Sequence, residues 1–398
     1  MLKRETALKL QRGSRLLLGF VSIVMFCGCE SLRRSISRHE FVIENRWVRS
    51  TTKEEFLGFR RMNRMSPLVI GDVVVQANAI DGLSVFDRKS GSLIWRLDLK
   101  NGVEGGVQAV GERLFFGSSD GMFYCVSLAN GKTIWSTSSK AEALAPPTVE
   151  SGVVYFQTGA DIVFALDAET GKQLWQYNRQ VTTSLSIRAS TRPVVAGESL
   201  LVGFSDGVLV SLRKRDGGLL WERKLGRGSR FRDVDATPVV DGTTVYVSSF
   251  DAALYSLKLE SGGVNWSVED GGYVPVTMGR EQLADRLFYS TATGKIVVLD
   301  KHTGKSLLTI SVKHGIATQP VLYKGFLVYG ESEGALVVAD ATGGQPVGRF
   351  APGEGLVSKP EVLESTGDVY FISNGANLFS MKMGYRFVSD TLPWQVAR

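Results

Sequence analysis

Five tryptophans each stand four residues after a glycine: Gly91 and Trp95, Gly131 and Trp135, Gly171 and Trp175, Gly217 and Trp221, Gly262 and Trp266. Each pair closes the same phrase, an apolar run, a polar turn and a second run, as in VFALDAETGKQLW at 163–175 and MFYCVSLANGKTIW at 122–135. Successive tryptophans lie 40, 40, 46 and 45 residues apart. Self-similarity at such a period means that one unit cannot bury its apolar face alone and must stack on the next. About 40 residues divided among four short strands and tight turns is one β-propeller blade. The expected fold is therefore all-β, an eight-bladed β-propeller of four-stranded antiparallel blades.

The eight blades are counted as follows. Units open on Pro-Val-like strands at Pro67, Pro146, Pro193, Pro238, Pro320 and Pro360, and continue through a Gly or Asp turn into strands such as VVYFQTG and TVYVSSF. Later units keep the frame without the tryptophan: Gly304 puts Leu308 at that position, and Gly343 puts Val347 there. The last unit, 359–383, stops after its third strand. The segment Phe41–Val48 carries Trp47 upstream of the first complete unit, an orphan strand. Pairing it with the last unit closes the ring and leaves no open edge. Trp suits the repeated position because its flat face fills a seam while its N–H reaches a carbonyl. The tryptophans are read as core, and Cys125, in FYCVSL, as a small buried strand residue.

Charge and cysteine use point to export. The formal charge is +6, but residues 1–28 hold five basic residues and one acidic, so four of those charges leave with them. The remainder has no concentrated basic face of the kind nucleic acid needs. Lys3, Arg4, Lys9, Arg12 and Arg15 precede an apolar run, Leu16 to Phe26, too short for a membrane-spanning helix and laid out like a secretory signal. Cys27-Gly28-Cys29 at its end resembles a bacterial lipoprotein signal, with Cys29 as the lipidated residue; an ordinary signal peptide is the plainer alternative. The expected organisation is a signal at 1–28, a tether at 29–40, a propeller at 41–385 and a tail at 386–398.

The unit A-L-D-x-x-T-G-K-x-x-W resembles the blade motif of pyrroloquinoline-quinone-type propellers across residues 41–383. Within that superfamily the chain is similar to the BamB family, propeller lipoproteins of the outer-membrane β-barrel assembly (Bam) machinery. The lipoprotein signal, the modest length, the eight compact units and two particular loops carry this resemblance. The loops fall where the repeat lengthens, at 178–190 after Trp175 and at 226–238 after Trp221. Both connect the outer strand of one blade to the inner strand of the next, so they leave adjacent blades on one rim. The strings SLSIRAS and DVDATPVV within them resemble family segments that contact the barrel subunit BamA through its periplasmic POTRA domains.

Carried over residue by residue, the resemblance implies partner contacts at Leu185, Ile187, Arg188, Asp233 and Asp235. Independently, two apolar residues in a solvated loop are what a small docking patch requires. An Arg beside two carboxylates can be held in one orientation by charge-assisted bonds. The alternative is that the apolar pair folds inward and the Arg–Asp pairs only pin the loops. The resemblance further implies an outer-membrane, periplasm-facing, lipid-anchored monomer without a cofactor, and strands of client outer-membrane proteins as further partners at propeller edges.

Two other functions are open to a propeller of such repeats. A quinoprotein dehydrogenase needs a calcium site of carboxylate and amide oxygens and, in that branch of the superfamily, an adjacent-cysteine disulfide; the chain has no Cys-Cys pair. His39, His302 and His314 show no metal-ligand spacing. Asp120-Gly121 and Asp206-Gly207 recur at hairpin turns and read as turn chemistry. A sugar- or peptidoglycan-binding propeller would differ chiefly in its central funnel, which sequence does not display.

Overall fold

The computed structural model describes residues 38–53, 63–179, 191–228 and 233–388. Cys29, Leu185, Ile187, Arg188 and the tail beyond residue 388 lie outside the described residues. Eight four-stranded antiparallel sheets form the blades of a propeller ring. Seven are continuous in sequence, running from the first (Leu68–Ile70, Val73–Asn78, Gly82–Asp87, Leu93–Asp98) to the seventh (Val321–Tyr323, Phe326–Gly330, Leu336–Asp340, Pro346–Phe350). The eighth is composite: Glu361–Leu363, Asp368–Ile372 and Asn377–Val388 take their outer strand from Arg38–Ser50. The eight-blade count and the closure by an N-terminal strand are both as the repeat predicts.

The blades belong to one compact unit, Ile43–Gly384. A second unit contains the far ends of the two long strands of blade 8, where Phe41 and Tyr385 meet edge to face with centroids 5.4 Å apart.

Each strand's place in its blade follows from its side chains. Second and third strands are covered on both faces, so Val153–Gln157 and Ile162–Asp167 are buried at almost every position. Such strands must be nearly continuous apolar runs. Outer strands have one covered face and alternate, as in Gln173–Asn178. Blades meet through aromatic and aliphatic side chains; Phe123 of blade 2 stacks on Phe156 of blade 3 at 4.1 Å between centroids.

The Gly–Trp spacing proves to be an interlock between consecutive blades. Each described Trp donates its indole N–H to a backbone carbonyl of the next blade: Trp47 to Arg88, Trp95 to Leu128, Trp135 to Ala168, Trp175 to Lys214, Trp221 to Leu259 and Trp266 to Lys301, at 2.8–3.2 Å. The turn glycine of that next blade lies flat on the same ring. A Cβ added to Gly171 would sit 2.5 Å from the Trp135 ring, and one on Gly217 would sit 2.7 Å from Trp175. Both glycines have φ near +70°, a conformation that also disfavours a side chain. Trp47 performs the same service for blade 1, resting on Gly91, so the chain's two ends are locked by the device that also joins blades 1 to 6.

Within blades 1 to 5 the Trp faces a small or β-branched residue on the third strand, and the register shifts immediately after it. Cys125 lies opposite Trp135 with the shift between Cys125 and Val126. Its thiol is fully buried, and burial pushes its pKa up to about 11. One expectation is corrected in blade 7. There Gly344, not Gly343, has the positive φ and donates its N–H to the Asp340 backbone carbonyl, while Gly343 donates to the Asp340 carboxylate. The residue opposite Val338 is therefore Gly348 rather than Val347, which is the exposed neighbour. Two glycines in a row made the frame ambiguous, and the local turn hydrogen bond decides it. With no large side chain at that position, Phe350 fills the seam against Phe371 and Phe379.

Candidate functional site

The two lengthened connections leave neighbouring blades on the same rim. The first joins Gln173–Asn178 of blade 3 to Val194–Ala196 of blade 4, and the second joins Leu219–Lys224 of blade 4 to Val239–Asp241 of blade 5. Their roots touch. The backbone N–H of Arg192 donates to Thr237 Oγ1 at 3.3 Å, and that of Val234 to the Phe204 carbonyl at 3.2 Å.

A polar scaffold holds these roots. Gln157 spans two blades, donating from Nε2 to the Gly203 carbonyl (2.9 Å) and accepting from the Thr191 N–H (3.1 Å). Arg179 reaches Asp206 at 2.7 Å and Glu222 at 2.9 Å and lies over the Phe204 ring, so charge-assisted bonds fix where the first loop starts. Asp161, in the left-handed conformation at φ 56°, accepts from the backbone and hydroxyl of Ser205. Burial raises its pKa above the ordinary value despite those bonds.

Of the residues expected to meet a partner, the two aspartates are described. Asp233 is fully buried, and its carbonyl accepts from Phe250. Asp235 is partly exposed but its Oδ2 is buried with no hydrogen-bond donor among the described residues. Burial lifts its pKa well above the usual carboxylate range, repulsion from Asp233 and Asp161 adds to that, and Arg64 opposes it. The two carboxylates are thus close enough to repel each other, at the root of the second loop.

Sequence reasoning passed over Arg179, Asp161 and Ser205. Asp206 was read as turn chemistry, and its Oδ1 does accept from the Val208 N–H (3.2 Å), but its other oxygen holds Arg179. The signal available was Arg179 at the first position past the regular repeat. Among the described residues, no three or more His, Cys, Asp or Glu side chains are grouped to hold a metal ion.

A propeller of quinoprotein-type repeats, with its irregularity concentrated in two adjacent connections of one rim, is the class defined by this architecture. The family model described as "Outer membrane protein assembly factor BamB" matches residues 81–284, about half of the chain. The chain belongs to that family. The Yersinia pestis outer membrane protein assembly factor BamB is 28% identical over 383 residues, covering 89% of this chain and 95% of the relative. The crystal structure of BamB from Moraxella catarrhalis superposes with a TM-score of 0.72 at 22% identity, covering 86% of this chain and all of that one. A europium-containing methanol dehydrogenase shares the fold alone, with a TM-score of 0.69 at 14% identity over 85% of this chain and 93% of its own.

Proposed function

We propose that this chain is a non-catalytic scaffold of the outer-membrane β-barrel assembly machinery that holds the periplasmic POTRA region of the barrel subunit BamA and so assists folding and insertion of outer-membrane proteins. Family membership and the names of its relatives support the assembly role. The observation that carries the docking reading is the pair of lengthened connections rooted side by side on one rim, each root fixed by buried polar groups. In this reading Leu185 and Ile187 supply the apolar contact, Arg188 the oriented charge, and Asp233 and Asp235 the acidic side of the same docking surface. Cys29 carries the lipid that keeps the propeller at the periplasmic face of the outer membrane, and several acyl chains on one residue anchor it stably.

The test is Arg188→Glu in the full-length protein, measured by co-purification with the barrel subunit from solubilised membranes and by thermal melting. Loss of co-purification with an unchanged melt is expected. Retained binding refutes the patch, and a collapsed melt assigns Arg188 to the fold.

A second role is favoured by one observation. The outer strands expose large apolar residues one place before the repeated Trp position: Ile94, Ile134, Leu174, Leu220 and Leu307 are about half exposed. An exposed apolar strand with a free edge is a template for an added strand. Client strands would dock there, and a photo-crosslinker at Leu174 would capture nascent outer-membrane proteins. Absence of crosslinks at all these positions removes this role.

A further inference from the structure

The inner strands surround an axial channel. Its wider part, a cavity of about 620 Å³, opens on the rim of the two long connections, where Asp235, Phe250 and Tyr273 line it. A deeper part of about 440 Å³ shares Arg64, Pro146, Thr237, Pro275, Gln319 and Lys359 with the first, so the two are continuous. The deeper part adds Arg192 and Glu361.

Arg192 is held in an unusual way. Its side chain extends from blade 4 across two neighbouring blades, donating from Nε to Thr148 Oγ1 of blade 3 at 3.0 Å and from Nη2 to Gln108 Oε1 of blade 2 at 2.6 Å. Both acceptors are neutral. Among the described residues Arg192 makes no ion pair, and burial alone pulls its pKa below the ordinary value. Glu361 lines the same cavity, but the charge that acts on it is its neighbour Lys359. A half-buried guanidinium fixed by neutral groups is costly unless an anion completes it. A purely structural clamp between blades would be served by a neutral amide, and among the described residues Arg192 Nη1 makes no hydrogen bond. A guanidinium fork matches a carboxylate or phosphate with two parallel bonds.

We propose that the axial channel binds a small organic oxyanion, its carboxylate or phosphate on Arg192 and Lys359 and its apolar body against Pro146, Pro275 and Tyr273. The channel is a concave, largely apolar site with few convergent polar groups, as small-molecule sites are. It shares Asp235 and Thr237 with the root of the second docking loop, but its test reads small-anion binding and not co-purification, so the failure of either proposal is distinguishable from failure of the other.

The experiment is isothermal titration of the full chain, at constant ionic strength, with benzoate, phenyl phosphate and neutral benzamide. Saturable binding of benzoate or phenyl phosphate, and none of benzamide, is expected; which anion binds tighter identifies the headgroup. Arg192→Gln should weaken that binding about tenfold or more, the loss of a charge-assisted bond. Lys359→Gln, at a residue with no described hydrogen bond, should weaken it several-fold without changing the melt, and carries the test if Arg192→Gln fails to fold. Equal binding of all three compounds, binding of none, or unchanged anion affinity in a folded variant at either position overturns the proposal.

Discussion

Replacing Gly217 by Ala tests the interlock between blades, because two separate effects act on that residue. Its φ of 74° lies in the left-handed region, where a side chain costs about 1–2 kcal/mol. Its absent Cβ would also lie 2.7 Å from Cε3 of Trp175, well inside contact, so the ring or the turn must move. Forced overpacking of that sort costs a further ~1–3 kcal/mol. Trp175 itself is only 9% exposed, donates to the Lys214 carbonyl at 3.0 Å and packs on Tyr155 with centroids 6.0 Å apart. Trp175→Ala should therefore destabilise by about 3–5 kcal/mol.

The informative quantity is the double-mutant cycle. In the Trp175→Ala background the ring is gone, so Gly217→Ala should retain only its backbone component, about 1–2 kcal/mol. The coupling of ~1–3 kcal/mol is the steric part removed with the ring. Urea denaturation followed by far-ultraviolet circular dichroism measures each variant, and an unchanged dependence on denaturant identifies a change in stability alone. If Gly217→Ala is equally damaging with and without the indole, the close approach is no constraint and the glycine is kept for its backbone conformation only.

Two further predictions concern titrating groups. Cys125, fully buried and with its thiol pushed up to about 11, should resist alkylation in the native protein at pH 8 and react fully in denaturant, counted against Cys125→Ser; rapid native labelling would contradict its place opposite Trp135. Asp235 has a folded-state pKa raised above its ordinary value, so the native state retains its proton where the unfolded chain has lost it. Stability from this group is present at low pH and is lost as pH rises from about the ordinary carboxylate value through the raised one. Asp235→Asn should accordingly stabilise the protein at neutral pH and flatten that part of its pH profile; equal stability of the two proteins at pH 7 would refute the burial argument.

Much of the architecture was open to reading from local signals. The four-residue Gly–Trp offset, the Asp-x-x-Thr-Gly turns and the alternation of strands are short-range patterns, and short-range geometry fixes them. Asp167, for instance, accepts from the N–H and hydroxyl of Thr170 within one turn. The orphan tryptophan at Trp47 was enough to foretell how the ring closes, because the same indole-to-carbonyl bond is repeated from blade to blade. Blade 7 marks the limit. Gly343 and Gly344 are equivalent by composition, and only the positive φ of Gly344 and its bond to the Asp340 backbone carbonyl distinguish them.

The channel and the rim belong to the tertiary structure alone. Arg192 carries no motif; its setting is made by Thr148 and Gln108, 44 and 84 residues away, which meet it only because the ring gathers three blades around one axis. Asp161, Asp206 and Arg179 likewise converge from two blades to support the loop roots. The sequence alone determined the repeating unit, its number and its closure, since the unit is written in residues close together along the chain and the N-terminal strand with Trp47 is legible as the copy that the last unit lacks. Burial, field and shared cavities depend on residues far apart, and folding had to bring those together before their chemistry existed.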